Sequence, residues 1–204
     1  MQMIDRFADL WTRIKAKGDH REKYQELREN YARPNRFYHT LYHISDCLDK
    51  FSLVRKLAEN PDVIEFALWY HDAEKNEKES AKLARNVCRC AELPESFSQG
   101  ICGLILATTH TEMPKATDAK IICDIDLSIL GAPEKEFDNY EIEIRKEYSN
   151  VPNKDFAKGR VAILEKFLAR PAIYSTSFFR QQYELQARTN MLKSITILRN
   201  SFKQ

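Results

Sequence analysis

Apolar residues recur at helical spacing along almost the whole chain, and the breaks between the stripes mark where helices end. Phe7, Leu10, Trp11 and Ile14 make the first stripe, closed by Gly18. Tyr24, Leu27 and Tyr31 make a shorter one that stops ahead of Pro34, which disfavours helix at Arg33. Ile44, Cys47, Leu48, Phe51, Val54 and Leu57 predict a longer helix starting near His43. Asn60-Pro61 reads as the N-cap and first position of the next, which carries Val63, Ile64, Ala67 and Leu68 as far as His71. Beyond the polar run 74–79, Ala84, Val87, Cys88 and Ala91 predict one helix, and Phe97, Ile101, Leu104 and Ile105 another, opened by Pro94.

Residues 108–118, with Pro114 inside, are the most loop-like segment. Asp118 is expected to cap a helix bearing Ile121, Ile122, Ile125 and Ile129, ended by Gly131-Ala132-Pro133. Phe137, Tyr140, Ile144 and Tyr148 carry the next helix toward Pro152. Asn153 is expected to cap a helix with Phe156, Val161, Leu164, Phe167 and Leu168, broken by Pro171. A last long stripe runs from about Phe178 through Leu192, Ile195 and Leu198. No hairpin signal, internal repeat or low-complexity segment interrupts this pattern. The β-branched pair Ile121-Ile122 continues at helical spacing, which argues against a strand. The prediction is an all-α, single-domain helical bundle over residues 1–204, with a core at about 31–150 and C-terminal helices at 153–200 packing on it.

Composition changes this picture little. A chain of 204 residues, 43% hydrophobic and 30% charged, is long enough to bury a substantial core. A net charge of +2 supplies no overall basic field to attract nucleic acid. The opening Met-Gln-Met-Ile-Asp-Arg-Phe lacks the apolar stretch of a secretion signal, and no unbroken apolar run is long enough for a bilayer. Five cysteines without a CxxC spacing are expected to be buried, reduced thiols, neither a disulfide framework nor a zinc knuckle. A cytoplasmic protein is expected.

Candidate chemistry concentrates between Tyr38 and Asp72, which holds His39, His43 and His71, three of the five histidines. The apolar run Phe66–Tyr70 ends on His71-Asp72, and burying two such side chains without a cation or a strong hydrogen bond is costly. His39 and His43, four apart, share a face if one helix covers both. The turn at Asn60-Pro61 makes the His43 and His71 helices antiparallel neighbours, which returns both to the same end of the pair. A further carboxylate is expected from Cys123-Asp124-Ile125-Asp126-Leu127. Asp126 is favoured because Ile122, Ile129 and Leu130 flank it at helical spacing, whereas Asp124 points further from that stripe. The predicted metal ligands are therefore His43, His71, Asp72 and Asp126, a nitrogen and oxygen set that suits zinc, manganese, iron, cobalt or nickel. Any one helical histidine is more often a hydrogen-bonded core residue; the four together favour an ion. His20 reads as surface. His110 reads either as a loop residue or as a side chain lining the same cleft.

The pattern His43, His71-Asp72, Asp126 resembles the signature of the HD superfamily of metal-dependent phosphohydrolases. The segments 36–44, 67–72, Asn76-Glu77, 124–131, 144–148, Gly159-Arg160 and 187–190 look like one subgroup of it, usually labelled predicted HD phosphohydrolase. That likeness runs from about Tyr31 to Leu198, with a connector between Asp72 and Asn76 shorter than the subgroup's. The resemblance implies a helical bundle that hydrolyses a nucleotide or other small phosphoester with metal-activated water. Asp72 would both ligate the metal and orient the water, and Glu77 would act as general acid or base. Glu77 reads equally well as one acidic residue of a solvated helix start. Arg160 and Arg188 are the expected phosphate-binding cations, with Lys75 a third, because the guanidinium fork matches phosphate oxygens; inter-helix ion pairs are the commoner role for such arginines. His39 and His110 would line the substrate cleft, and Tyr38, Tyr42 and Tyr70 offer faces for a base. A di-iron oxygenase, which would need extra ligands such as His39 or His110, and a noncatalytic metal-stabilised binding module are the alternatives.

Overall fold

Helix formers with few glycines give, in a computed structural model that describes residues 2–200, ten α-helices and two short 3-10 turns, with no strand among the described residues. The chain divides into two compact units, Met1–Cys123 and Asp124–Gln204, with the division inside helix α7 (Thr117–Asp126).

The first unit holds α1 (Met3–Arg13), α2 (His20–Tyr31), α3 (Leu41–Val54), α4 (Pro61–Tyr70), α5 (Glu77–Cys90) and α6 (Glu95–Ala107). Helix α4 is its centre. Every residue from Ile64 to Tyr70 is buried, so a helix with no polar face has to be covered all round, by α1, α3, α5 and α6. The buried Glu65 carboxylate is neutralised by the guanidinium groups of Arg13 and Arg55. Aromatic rings fill the space against α1 and α2: Trp69 meets Phe7 edge-on at 5.2 Å and Tyr24 at 6.2 Å between ring centroids.

The structure moves several expected boundaries. Thr40 caps α3 by accepting from the Tyr42 N–H, so the helix starts two residues ahead of His43 and leaves His39 outside. His39 and His43 therefore do not share a helix face. Asp118 is the second residue of α7, not its cap: its carboxylate accepts from the backbone N–H groups of Glu59 and Asn60 and from the Asn60 side chain. Asn60 is the N-cap residue and Pro61 the first residue of α4, as expected, but the Asn60 side chain serves that clamp and makes no capping bond. The expected helix through Ile129 tightens after Asp126 into a 3-10 turn at Leu127–Gly131. Asn153 is the first residue of its helix, and its side-chain oxygen accepts from Arg145.

The second unit packs α8 (Glu134–Glu147), α9 (Asn153–Leu168) and α10 (Ser177–Asn200), with α10 laid across the Leu127–Gly131 turn and α9. The Asn190 side chain donates to Leu130 and Ala132 carbonyls, and the Tyr174 hydroxyl to that of Leu127. Gly131 is required here by close approach: a Cβ on it would stand 2.5 Å from the Tyr183 carbonyl oxygen and 2.6 Å from Tyr183 Cβ. Backbone cannot yield as a flexible side chain can, so Gly131→Ala is expected to destabilise by about 1–3 kcal/mol, read as a lower urea midpoint.

No disulfide joins the five cysteines; four are buried as expected, and Cys90 is exposed. No helix is long and apolar enough to cross a membrane.

Candidate metal centre

Two helices deliver the imidazoles. His43 lies in the first turn of α3 and His71 is the residue at which α4 stops, both buried. Asp72 follows His71, two residues past Tyr70, the last residue of the helix, and is half-buried. His71 Nδ1 stands 3.0 Å from the Leu68 carbonyl oxygen. A carbonyl only accepts, so Nδ1 donates to it, and Nε2 is the nitrogen turned to the corner. A backbone acceptor of this kind is the usual support of a metal-ligating histidine.

Three ligand atoms then form a nearly equilateral triangle. His43 Nε2 is 3.2 Å from His71 Nε2, Asp72 Oδ2 is 3.3 Å from the first and 3.1 Å from the second. Adjacent ligand atoms around one transition-metal ion with bonds of about 2.1 Å are separated by about 3.0 Å in an octahedron and about 3.4 Å in a tetrahedron. The three edges fall in that interval. Two buried nitrogens and a carboxylate oxygen at such spacing call for a shared positive charge, a proton or a cation, and the donor set fits a metal. With Cys47, the two imidazoles also make a group that could hold a metal ion; Asp126 is the last residue of α7.

Cys47 is the least apt member. Its Sγ is 3.7 Å from His43 Nδ1 and 3.6 Å from Nε2, so it lies over the imidazole and off the in-plane lone pair. Asp124, the alternative to Asp126, is spent elsewhere: its buried carboxylate accepts from the N–H groups of Ser175 and Thr176, each at 2.7 Å. Burial raises its pKa, and those two N–H groups counter the rise in part. Asp72 is the opposite case. Burial pushes its carboxyl up, but the charges of His71 and His39 and hydrogen bonds from His43 and His71 outweigh it and hold the group well below the usual carboxylate range.

The other predicted site residues fare differently. His39 is half-buried with Nε2 3.9 Å from Asp72 Oδ2, beside the ligand group and outside it. Glu77 is the first residue of α5, half-buried, where its charge favours the helix dipole. His110 sits just past α6 in the left-handed region, φ 53°, and is not in the ligand group. Arg160 is buried, ion-paired with Glu141 and set over the Tyr140 ring at 5.1 Å. Arg188 pairs with Glu184 and donates to the carbonyls of Leu168, Arg170 and Pro171, closing the end of α9. Both arginines thus have the inter-helix and capping roles that compete with phosphate binding. Of the tyrosines, Tyr70 is in the core stacked on Phe66, Tyr42 is 89% exposed, and Tyr38 packs on the His43 ring at 4.8 Å.

Three residues that support the corner carry no metal-ligand signal in the sequence. The buried Tyr31 hydroxyl donates to the Trp69 carbonyl, Arg33 makes a two-toothed pair with the Glu74 carboxylate, and Arg36 donates to the carbonyls of His39 and Glu74.

No family model, curated protein or solved structure matches this chain.

Proposed function

We propose that the protein is a metal-dependent phosphohydrolase acting on a nucleotide or another small phosphoester. The observation that carries the reading is the triangle of His43 Nε2, His71 Nε2 and Asp72 Oδ2, with edges of 3.1–3.3 Å. His43, His71, Asp72 and Asp126 would hold the ion. When bound, a divalent ion supplies Lewis acidity to a phosphoryl oxygen and lowers the pKa of water. The chain's own part begins with Asp72, whose depressed pKa keeps it a carboxylate, able to ligate and to orient water by accepting its hydrogen bond. His39, partly exposed beside Asp72, would meet a substrate's anionic group. Glu77 would act as general acid or base.

The test is phosphate release from a panel of nucleoside monophosphates and simple phosphoesters, with manganese, cobalt, nickel, zinc or ferrous iron added to metal-free protein. Release that needs the metal, and that His71→Ala and Asp72→Ala abolish, is the expected result. Full metal occupancy with no ester turned over would overturn catalysis. It would favour the second reading, a metal-stabilised binding module, for which the commitment of Arg160 and Arg188 to protein partners already speaks. Metal would then raise the melting temperature and do nothing else.

A further inference from the structure

His43 and His71 owe their positions to packed helices, but Asp72 does not. Helix α4 ends at Tyr70, and residues 72–76 leave it as a connector before the Asn76 cap of α5. The Asp72 carboxylate must nevertheless stand within 3.3 Å of an imidazole on α3. Something other than helix geometry has to hold that connector.

Arg36 reaches both sides of the gap. Its Nη1 donates to the His39 carbonyl at 3.0 Å and its Nη2 to the Glu74 carbonyl at 3.1 Å. His39 is the residue before Thr40, the cap of α3, and Glu74 lies two residues beyond Asp72. The guanidinium is itself held over the Tyr31 ring, 5.3 Å from its centroid, and that ring is fixed by its hydroxyl's bond to the Trp69 carbonyl. One planar fork therefore spans the entry to α3 and the exit from α4, with the ligand-bearing residues on either side.

We infer that Arg36 is a positioning residue for the metal corner, tying the loop into α3 to the connector out of α4 so that Asp72 stays in register with His43. Two charge-assisted bonds from one rigid group fix a distance, which a point charge on a flexible stem cannot do. Arg33 differs: its bonds go to the Glu74 carboxylate and to Asn30, so it holds the connector from the α2 side without touching the entry to α3. The inference rests on the corner being a metal site.

The test is titration of metal-free protein with cobalt(II), read by calorimetry and by the visible ligand-field spectrum, together with the melting temperature and amide exchange of the metal-free form. Arg36→Ala should weaken cobalt binding on the order of ten-fold, the low end for losing a supporting contact of a metal site, and alter the spectrum. Arg36→Lys should not restore it, and Arg33→Ala should do less. Amides in 36–40 and 72–76 should exchange faster together in Arg36→Ala, whereas Arg33→Ala loosens 72–76 alone. An Arg36→Ala protein that melts lower yet binds cobalt with wild-type affinity and spectrum would overturn the inference and leave a purely structural arginine. Full rescue by Arg36→Lys would also overturn it, because charge and not the fork would then matter. Wild-type protein that takes up no cobalt would instead end the metal reading itself, and this inference with it.

Discussion

His71→Ala is expected to abolish metal uptake at the corner, with affinity falling by more than about 100-fold, beyond the range that loss of a supporting hydrogen bond costs. The substitution removes a nitrogen whose tautomer is set by the Leu68 carbonyl and which forms two of the three edges of the ligand triangle. His39→Ala is the informative contrast. Its ring stands 3.9 Å from Asp72 outside the ligand group, so most of the affinity should remain. Metal analysis after dialysis against a limiting metal buffer reads both variants, and His71→Ala protein that loads like wild type would remove the site. The pH dependence follows from the same geometry. A ligating imidazole must give up its proton, so uptake should fail as pH falls through the histidine range near about 6.5. Asp72 does not set that limit. Its folded pKa is depressed, so the stability it contributes is present above the ordinary carboxylate pKa and is lost only as pH falls through its lower folded value.

Trp69→Ala is expected to cost about 3–5 kcal/mol, a large part of the stability of an ordinary domain. Trp69 is fully buried at the centre of the first unit, with Phe7 and Tyr24 on its ring and His71 two residues on. Its indole N–H has no hydrogen-bond partner among the described residues, so its contribution is shape and apolar area. Trp69→Phe should accordingly lose far less, since it keeps an aromatic edge for Phe7 and removes no bonded donor. Urea unfolding separates the two: a large fall in midpoint for alanine and a small one for phenylalanine at unchanged slope. Equal losses would mean that the indole N–H holds a buried water. Because α4 ends on the site, Trp69→Ala should weaken metal uptake too, whereas Gly131→Ala acts through the second unit.

The helices were legible because their apolar stripes repeat at helical spacing, and their ends were legible where proline or glycine left no alternative, as at Pro61, Pro94 and Pro171. Ends set by capping partners were not. Asp118 and Asn153 have the side chains of caps, yet they bond to Glu59, Asn60 and Arg145, residues that come near only after folding. The start of α3 was legible only to within two residues, because Thr40 caps it ahead of where the apolar stripe begins. For the site, the adjacency His71-Asp72 and the antiparallel turn at Asn60-Pro61 sufficed to bring His43 into the same group.

What the sequence determines by itself is thus the local and periodic part: an all-α chain, a strongly apolar helical run at Phe66–Tyr70, and a His-Asp pair placed where that run ends. Only the tertiary structure decides which polar side chains face one another. It commits Arg160 to Glu141 and Arg188 to the end of α9, and Asp124 to Ser175 and Thr176; it sets Arg36 against Glu74, 38 residues on in sequence. The physical reason is that an apolar stripe recurs along one helix and is written in its spacing, whereas a hydrogen bond or ion pair depends on distances between elements that no periodicity encodes.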